Sequence, residues 1–82
     1  MTRLRTLVDR LLADPPEALF AEIRMLLAAF GFVEVRSRGS HHIFRDRRGR
    51  MLVLPKLGGR KVKRTYVRRI VELLELEDWH DA

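Results

Sequence analysis

The sequence predicts an α+β domain in which helices pack on one face of a three-stranded antiparallel sheet, in the order α-α-β-β-β-α. Three observations carry this expectation. Apolar residues recur at helical spacing through the first thirty positions and again after Thr65. Between Gly31 and Pro55 the period shortens to two. The switches fall at glycine- or proline-containing turns. With 82 residues the chain can bury one core and not two. Residues 1–82 therefore read as a single domain, with 3–13 as an additional N-terminal helix ahead of an α-β-β-β-α core over 17–76.

Leu4, Leu7, Val8, Leu11 and Leu12 stand at i, i+3, i+4, i+7 and i+8, the apolar stripe of an amphipathic helix that ends near Ala13. The simplest use of that stripe is to complete the core. "DPPE" then reads as a restart, with Asp14 as N-cap, Pro15 in the first helical position and Glu17 closing a capping box. Leu19, Phe20, Ile23, Leu26, Leu27 and Phe30 give the second helix a broad apolar face, and Gly31 is its expected C-terminal stop.

In "FVEVRSR", Val33 and Val35 alternate with Glu34, Arg36 and Arg38, as in a strand that buries its valines. "RGS" is a turn, "HHIFR" a second strand, "DRRGR" a hairpin turn with Gly49 at the position needing positive φ, and "MLVLP" a third strand ended by Pro55. "KLGGRKVK" reads as a loop whose Gly58 and Gly59 amides could cradle a phosphate. The last helix places Val67, Ile70, Val71 and Leu74 on one face and pairs Arg68 with Glu72 on the other. Phe44 is expected in the core; Tyr66 fits either the core or a stacking platform for a base, and Trp79 either the core or a partner. Helices on one sheet face leave the opposite face open.

The formal charge is +6, and it is segregated. Thirteen of the 17 basic residues lie between Arg36 and Arg69, where Asp46 is the only acid. Such a block suits a polyanionic partner such as nucleic acid or an anionic membrane. There is no cysteine, hence no disulfide framework, as in a reducing compartment. Asp9 and Arg10 interrupt the first apolar stripe, which is far short of the roughly 20 apolar residues of a membrane span. The expected location is cytoplasmic.

Chemistry near neutral pH points to histidine, and the chain has three. His80, in the acidic "EDWHDA", reads as an exposed terminal residue. His41 and His42 are adjacent on a strand, so their side chains diverge to opposite faces. That divergence argues against a zinc site, which needs three or four convergent ligands, and the nearest acid, Asp46, sits among arginines. No metal or cofactor is expected. Ser37 and Ser40 lack a nucleophile elbow, and the basic segment has no carboxylate pair for glycoside chemistry. An imidazole among cations suits RNA cleavage by the substrate's own 2′-hydroxyl, with the imidazole as general base and the cations stabilising charge on the phosphate. Protonation of one catalytic base would make activity fall on the acid side.

The segment Gly31 to Glu72 runs through a Gly-Phe helix end, a strand, Gly39-Ser40-His41, a hairpin with glycine, a strand ending in proline, a glycine-containing basic loop and a helix. This pattern resembles the HicA (YcfA-like) toxins of type II toxin–antitoxin modules. The resemblance implies a double-stranded-RNA-binding-like fold, a metal-independent mRNA interferase activity, and a HicB-type antitoxin that covers the active surface. It puts the catalytic histidine at His41, with His42 the alternate. Gly39 and Ser40 would shape the turn presenting it, and Arg45, Lys56, Lys61 and Lys63 would contact RNA phosphates. Two other readings stay open from the residues alone: a non-catalytic RNA-binding module, and an adaptor whose basic face meets an acidic partner protein.

Overall fold

The structure, a computed structural model, describes residues 3–56, 58 and 60–80. Its elements in order are α1 (Arg3–Leu12), β1 (Glu17–Leu19), α2 (Phe20–Ala29), β2 (Val33–Arg38), β3 (His41–Arg45), β4 (Met51–Pro55), β5 (Lys61–Lys63), α3 (Arg64–Leu73) and a 3₁₀ turn at Leu76–Asp78. Strands β2, β3 and β4 form the expected antiparallel meander. Strands β1 and β5 pair in a separate two-stranded ribbon. The class is α+β, compatible with a double-stranded-RNA-binding-like fold, and the ribbon is an addition to it.

One core joins the helices to one face of the meander. Leu7, Val8 and Leu11 of α1, Phe20, Ile23, Leu26 and Leu27 of α2, and Val67 and Ile70 of α3 pack with Phe32, Phe44, Leu52 and Leu54. The first helix therefore belongs to the core. Phe44 is fully buried, Tyr66 is half-buried against the cluster, and Trp79 rests on Phe30 at 6.2 Å between ring centroids. Gly31, Gly39 and Gly49 take positive φ (89°, 61° and 84°) at the helix end and the two hairpin turns, where a Cβ would be strained. In the β3–β4 turn Asp46 Oδ1 accepts from the backbone N–H of Arg48 and Arg50.

Four local expectations are overturned by long-range contacts. Asp14 is not an N-cap: it takes φ 59°, and its carboxylate receives both Nε and Nη2 of Arg68 at 2.8 and 2.7 Å. Arg68 is thereby turned to Asp14 and not to Glu72. Residues 17–19 form a strand because their backbone pairs with "KVK", read from sequence as loop, in the register Glu17↔Lys63, Ala18↔Val62, Leu19↔Lys61. Helix α2 thus begins only at Phe20, leaving Leu19 exposed. Helix α3 ends at Leu73, and a reversal at Glu75 (φ 52°) turns the chain so that Leu76 is buried.

The fourth difference bears on the site. Val33 and Val35 are 60% and 52% exposed, while Glu34 faces the helices. Phe32 sets this phase: it is buried under the helices, and Glu34, two residues on, shares its face. A register shift between Glu34 and Arg36 then keeps Val35 outside as an extra residue.

Candidate nucleic-acid interface

Strand β3 sends its two histidines to opposite faces. On the helix side His42 is only 8% exposed. Its Nδ1 lies 2.6 Å from Glu34 Oε2. A carboxylate only accepts, so Nδ1 carries a proton, and in the neutral imidazole the lone pair is then on Nε2. Among the described residues, Nε2 is the buried side-chain nitrogen without a partner. The Phe20 ring lies over the imidazole, 4.5 Å between centroids. Arg24 donates to the other Glu34 oxygen and also stands over the Phe20 ring, at 5.3 Å. Lys56 Nζ sits 4.7 Å from the same ring centroid.

The hydrogen bond from His42, with help from Arg24, holds the Glu34 carboxyl below the ordinary carboxylate range, against a burial effect in the opposite direction. A carboxyl whose folded pKa is depressed contributes stability in full above its unfolded pKa of about 4.3, and that contribution is lost as pH falls to the folded value. Glu34→Gln should therefore destabilise the protein relative to wild type at neutral pH, and the gap between their urea midpoints should close in acid. A gap that stays constant from pH 7 to pH 3 would mean that the Glu34 charge does not contribute.

Outside this cluster, Phe20, Arg24, Lys56 and Arg60 line a cleft of about 380 Å³ with Leu19 and Ala21. The Gly39–Ser40 turn is tied to it, since Ser40 O accepts from the Lys56 N–H at 2.8 Å. Lys61 Nζ bonds Glu17 at 2.6 Å, and Lys63, exposed, stands at the other end of the ribbon. Gly58 takes φ 59°, whereas Gly59 lies outside the described residues. On the far side of the sheet, His41 is exposed beside its strand neighbours Arg38 and Pro55, and Arg45 touches Met51 Sδ at 3.5 Å. The expected site residues thus divide between two faces. Lys56 and His42 are on the helix side, whereas His41 and Arg45 are on the open side.

Sequence reasoning missed Phe20, Glu34, Arg24 and Arg60. Arg24 and Arg60 gave no motif, and Phe20 read as ordinary core. For Glu34 the signal was present: an acid two residues after a buried phenylalanine in a strand shares its inward face. Among the described residues, no group of three or more His, Asp or Glu is placed to hold a metal ion.

These features define a small basic α+β domain that places a carboxylate-oriented imidazole beside a cationic cleft lined by Arg24, Lys56 and Arg60. A family profile described as the HicA toxin of bacterial toxin–antitoxin modules matches residues 20–76, well over half the chain, and the chain belongs to that family. It is therefore a toxin of the toxin–antitoxin type. No curated protein and no solved structure matches it. Helix α1 and strand β1 precede the matched region. No described helix is long and apolar enough to cross a membrane.

Proposed function

We propose that this toxin is an endoribonuclease in which His42 acts as general base. The observation that carries the reading is the partnerless Nε2, buried beside a cationic cleft while Nδ1 is fixed by Glu34. A buried polar atom left without a hydrogen bond costs about 1–3 kcal/mol, and a catalytic lone pair is one reason for a fold to keep it. Phe20 covers the ring in the absence of substrate. Rotation of Phe20 would let a ribose 2′-hydroxyl reach Nε2.

In that arrangement Nε2 takes the hydroxyl proton and the 2′-oxygen attacks phosphorus. The 5′-oxygen of the next nucleotide departs, taking a proton from water, and leaves a 2′,3′-cyclic phosphate. Lys56 and Arg60 carry no carboxylate partner among the described residues and would stabilise charge on the phosphate. Beside the Gly39–Ser40 turn, Lys63 and, once released from Glu17, Lys61 extend the basic track for neighbouring phosphates, and RNA supplies the nucleophile, so no cofactor is required. In this reading residues 17–76 form the catalytic unit and 3–13 brace it.

One observation favours the other histidine. His41 is exposed, and no rearrangement is needed for a substrate to reach it. It stands among Arg36, Arg38 and Arg45, so Arg45 becomes a phosphate contact only in this alternative.

The test is incubation of purified protein with end-labelled RNA in EDTA. Fragments ending in 2′,3′-cyclic phosphate are expected. Intact RNA that nonetheless binds, with log K falling by about 0.7 per phosphate contact against log salt, would replace the nuclease with a binding module.

A further inference from the structure

We infer that the cleft between the end of α2 and the β3–β4 turn is a second nucleotide site, which holds an unpaired part of the RNA away from the bond that is cut. The inference rests on the RNA reading above and adds a contact remote from His42. Phe30, Gly31, Asp46, Arg47, Arg48 and Arg50 line a space of about 270 Å³. None of them lines the cleft beside His42. The turn itself fixes which of these groups stay available. Asp46 accepts from the Arg48 and Arg50 N–H groups through Oδ1 and from Arg50 Nε through Oδ2 at 2.7 Å. Arg50 also donates to Leu73 O and lies over the Phe32 ring, so the Asp46–Arg50 pair is neutral and fastened to the helix layer. Arg47 and Arg48 are exposed, and their guanidiniums have no ion pair or hydrogen bond among the described residues.

The opposite wall selects the ligand. Phe30 is half-buried, braced by Trp79 at 6.2 Å between ring centroids, and its ring borders the cleft. Gly31 beside it has no side chain, and a Cβ there would meet nothing within 4 Å, so the approach to the ring is open. An aromatic face next to two free guanidiniums is the combination that single-stranded nucleic acid uses, a base stacking on the ring while its phosphate takes the cations. The carbonyl end of α2 brings about half a negative charge, which two guanidiniums outweigh. An acidic protein segment would engage the arginines and leave the ring idle. A duplex keeps its bases stacked on one another and leaves it idle too.

Strand β3 sets the spacing. At about 3.3 Å per residue, His42 and Arg45 are about 10 Å apart along it, and the turn lies beyond Arg45. A nucleotide in this cleft is therefore not the one being cut, whichever histidine is the base, and the site acts only on RNA long enough to reach it. The test measures binding of 2′-fluoro oligouridylates, which have no 2′-hydroxyl to attack, as a trimer and as a dodecamer. Arg47→Ala with Arg48→Ala is expected to weaken dodecamer binding about tenfold at low salt and to reduce its salt slope by about 1.4, two phosphates at about 0.7 each. Trimer affinity should stay within about twofold. Phe30→Leu, which keeps an apolar side chain against Trp79, is expected to weaken the dodecamer about fivefold with the salt slope unchanged, the lower end of what one stacked base contributes. Dodecamer affinity unchanged by the arginine pair overturns the site and leaves the nuclease reading intact. Equal losses for trimer and dodecamer overturn it as well, because the arginines would then serve the first cleft or the fold. Affinity unchanged in Phe30→Leu reduces the patch to a general polyanion surface and overturns it too. A wild type that binds neither oligonucleotide overturns the RNA reading and this site together.

Discussion

Replacing His42 by alanine should lower the rate of RNA cleavage by about 10²–10⁴-fold, the usual contribution of a positioned general base. His41→Ala should stay within a few-fold of wild type. The contrast follows from geometry: one imidazole has its Nδ1 proton fixed by Glu34 at 2.6 Å, while the other is exposed with no partner among the described residues. Because His42 also packs under Phe20, alanine there removes volume as well as chemistry. His42→Gln separates the two, since the amide still donates to Glu34 and still fills space but cannot take up a proton near neutral pH. Loss of cleavage in both His42 variants, with unfolding midpoints for His42→Gln near wild type, supports the assignment. A variant of His41 that is inactive while His42→Gln cleaves normally would move the base to the open face. Growth arrest on expression gives the same comparison in cells.

Phe44→Ala should destabilise the domain by about 3–5 kcal/mol, the usual range for deleting a fully buried ring. A chain of this size has only about 4–12 kcal/mol in total, so the variant should lose from roughly a quarter to all of that stability. Phe44 is 1% exposed and packs against Phe20 at a tilt of 49°, 6.2 Å between ring centroids, linking the sheet to the start of α2. Val33→Ala, on the open side of the neighbouring strand, should stay within about 0.5 kcal/mol of wild type. Urea melts of the pair check both. Equal losses at the two positions would mean that the sheet buries both of its faces in solution.

The helices, the meander and its turns were legible because local sequence encodes them. The stripe from Leu4 to Leu12, the change of period after Gly31 and the glycine at position 49 each depend only on near neighbours. What escaped depends on distant partners. Residues 17–19 follow a plausible capping box, yet their backbone bonds go to Lys61–Lys63. Asp14 is held by Arg68, 54 positions away. The valines of β2 alternate correctly for a strand, but alternation does not say which face is inside. The anchor Phe32 decided it, and the bulge hid the answer by adding one residue. The same ambiguity concealed half of the candidate site. The divergence of His41 and His42 followed from strand geometry, whereas the carboxylate waiting for one of them lay in a pattern that suggested the opposite side.

The ribbon of β1 and β5 has a consequence for how the molecule comes into being. The meander joins near neighbours and can assemble early, but Glu17 meets Lys63, and Phe20 N–H meets Arg60 O, only after most of the polypeptide has been made. The aromatic cap over His42 is fastened at that same seam. A nascent chain would thus lack a finished cleft until β1 and β5 have been stitched together.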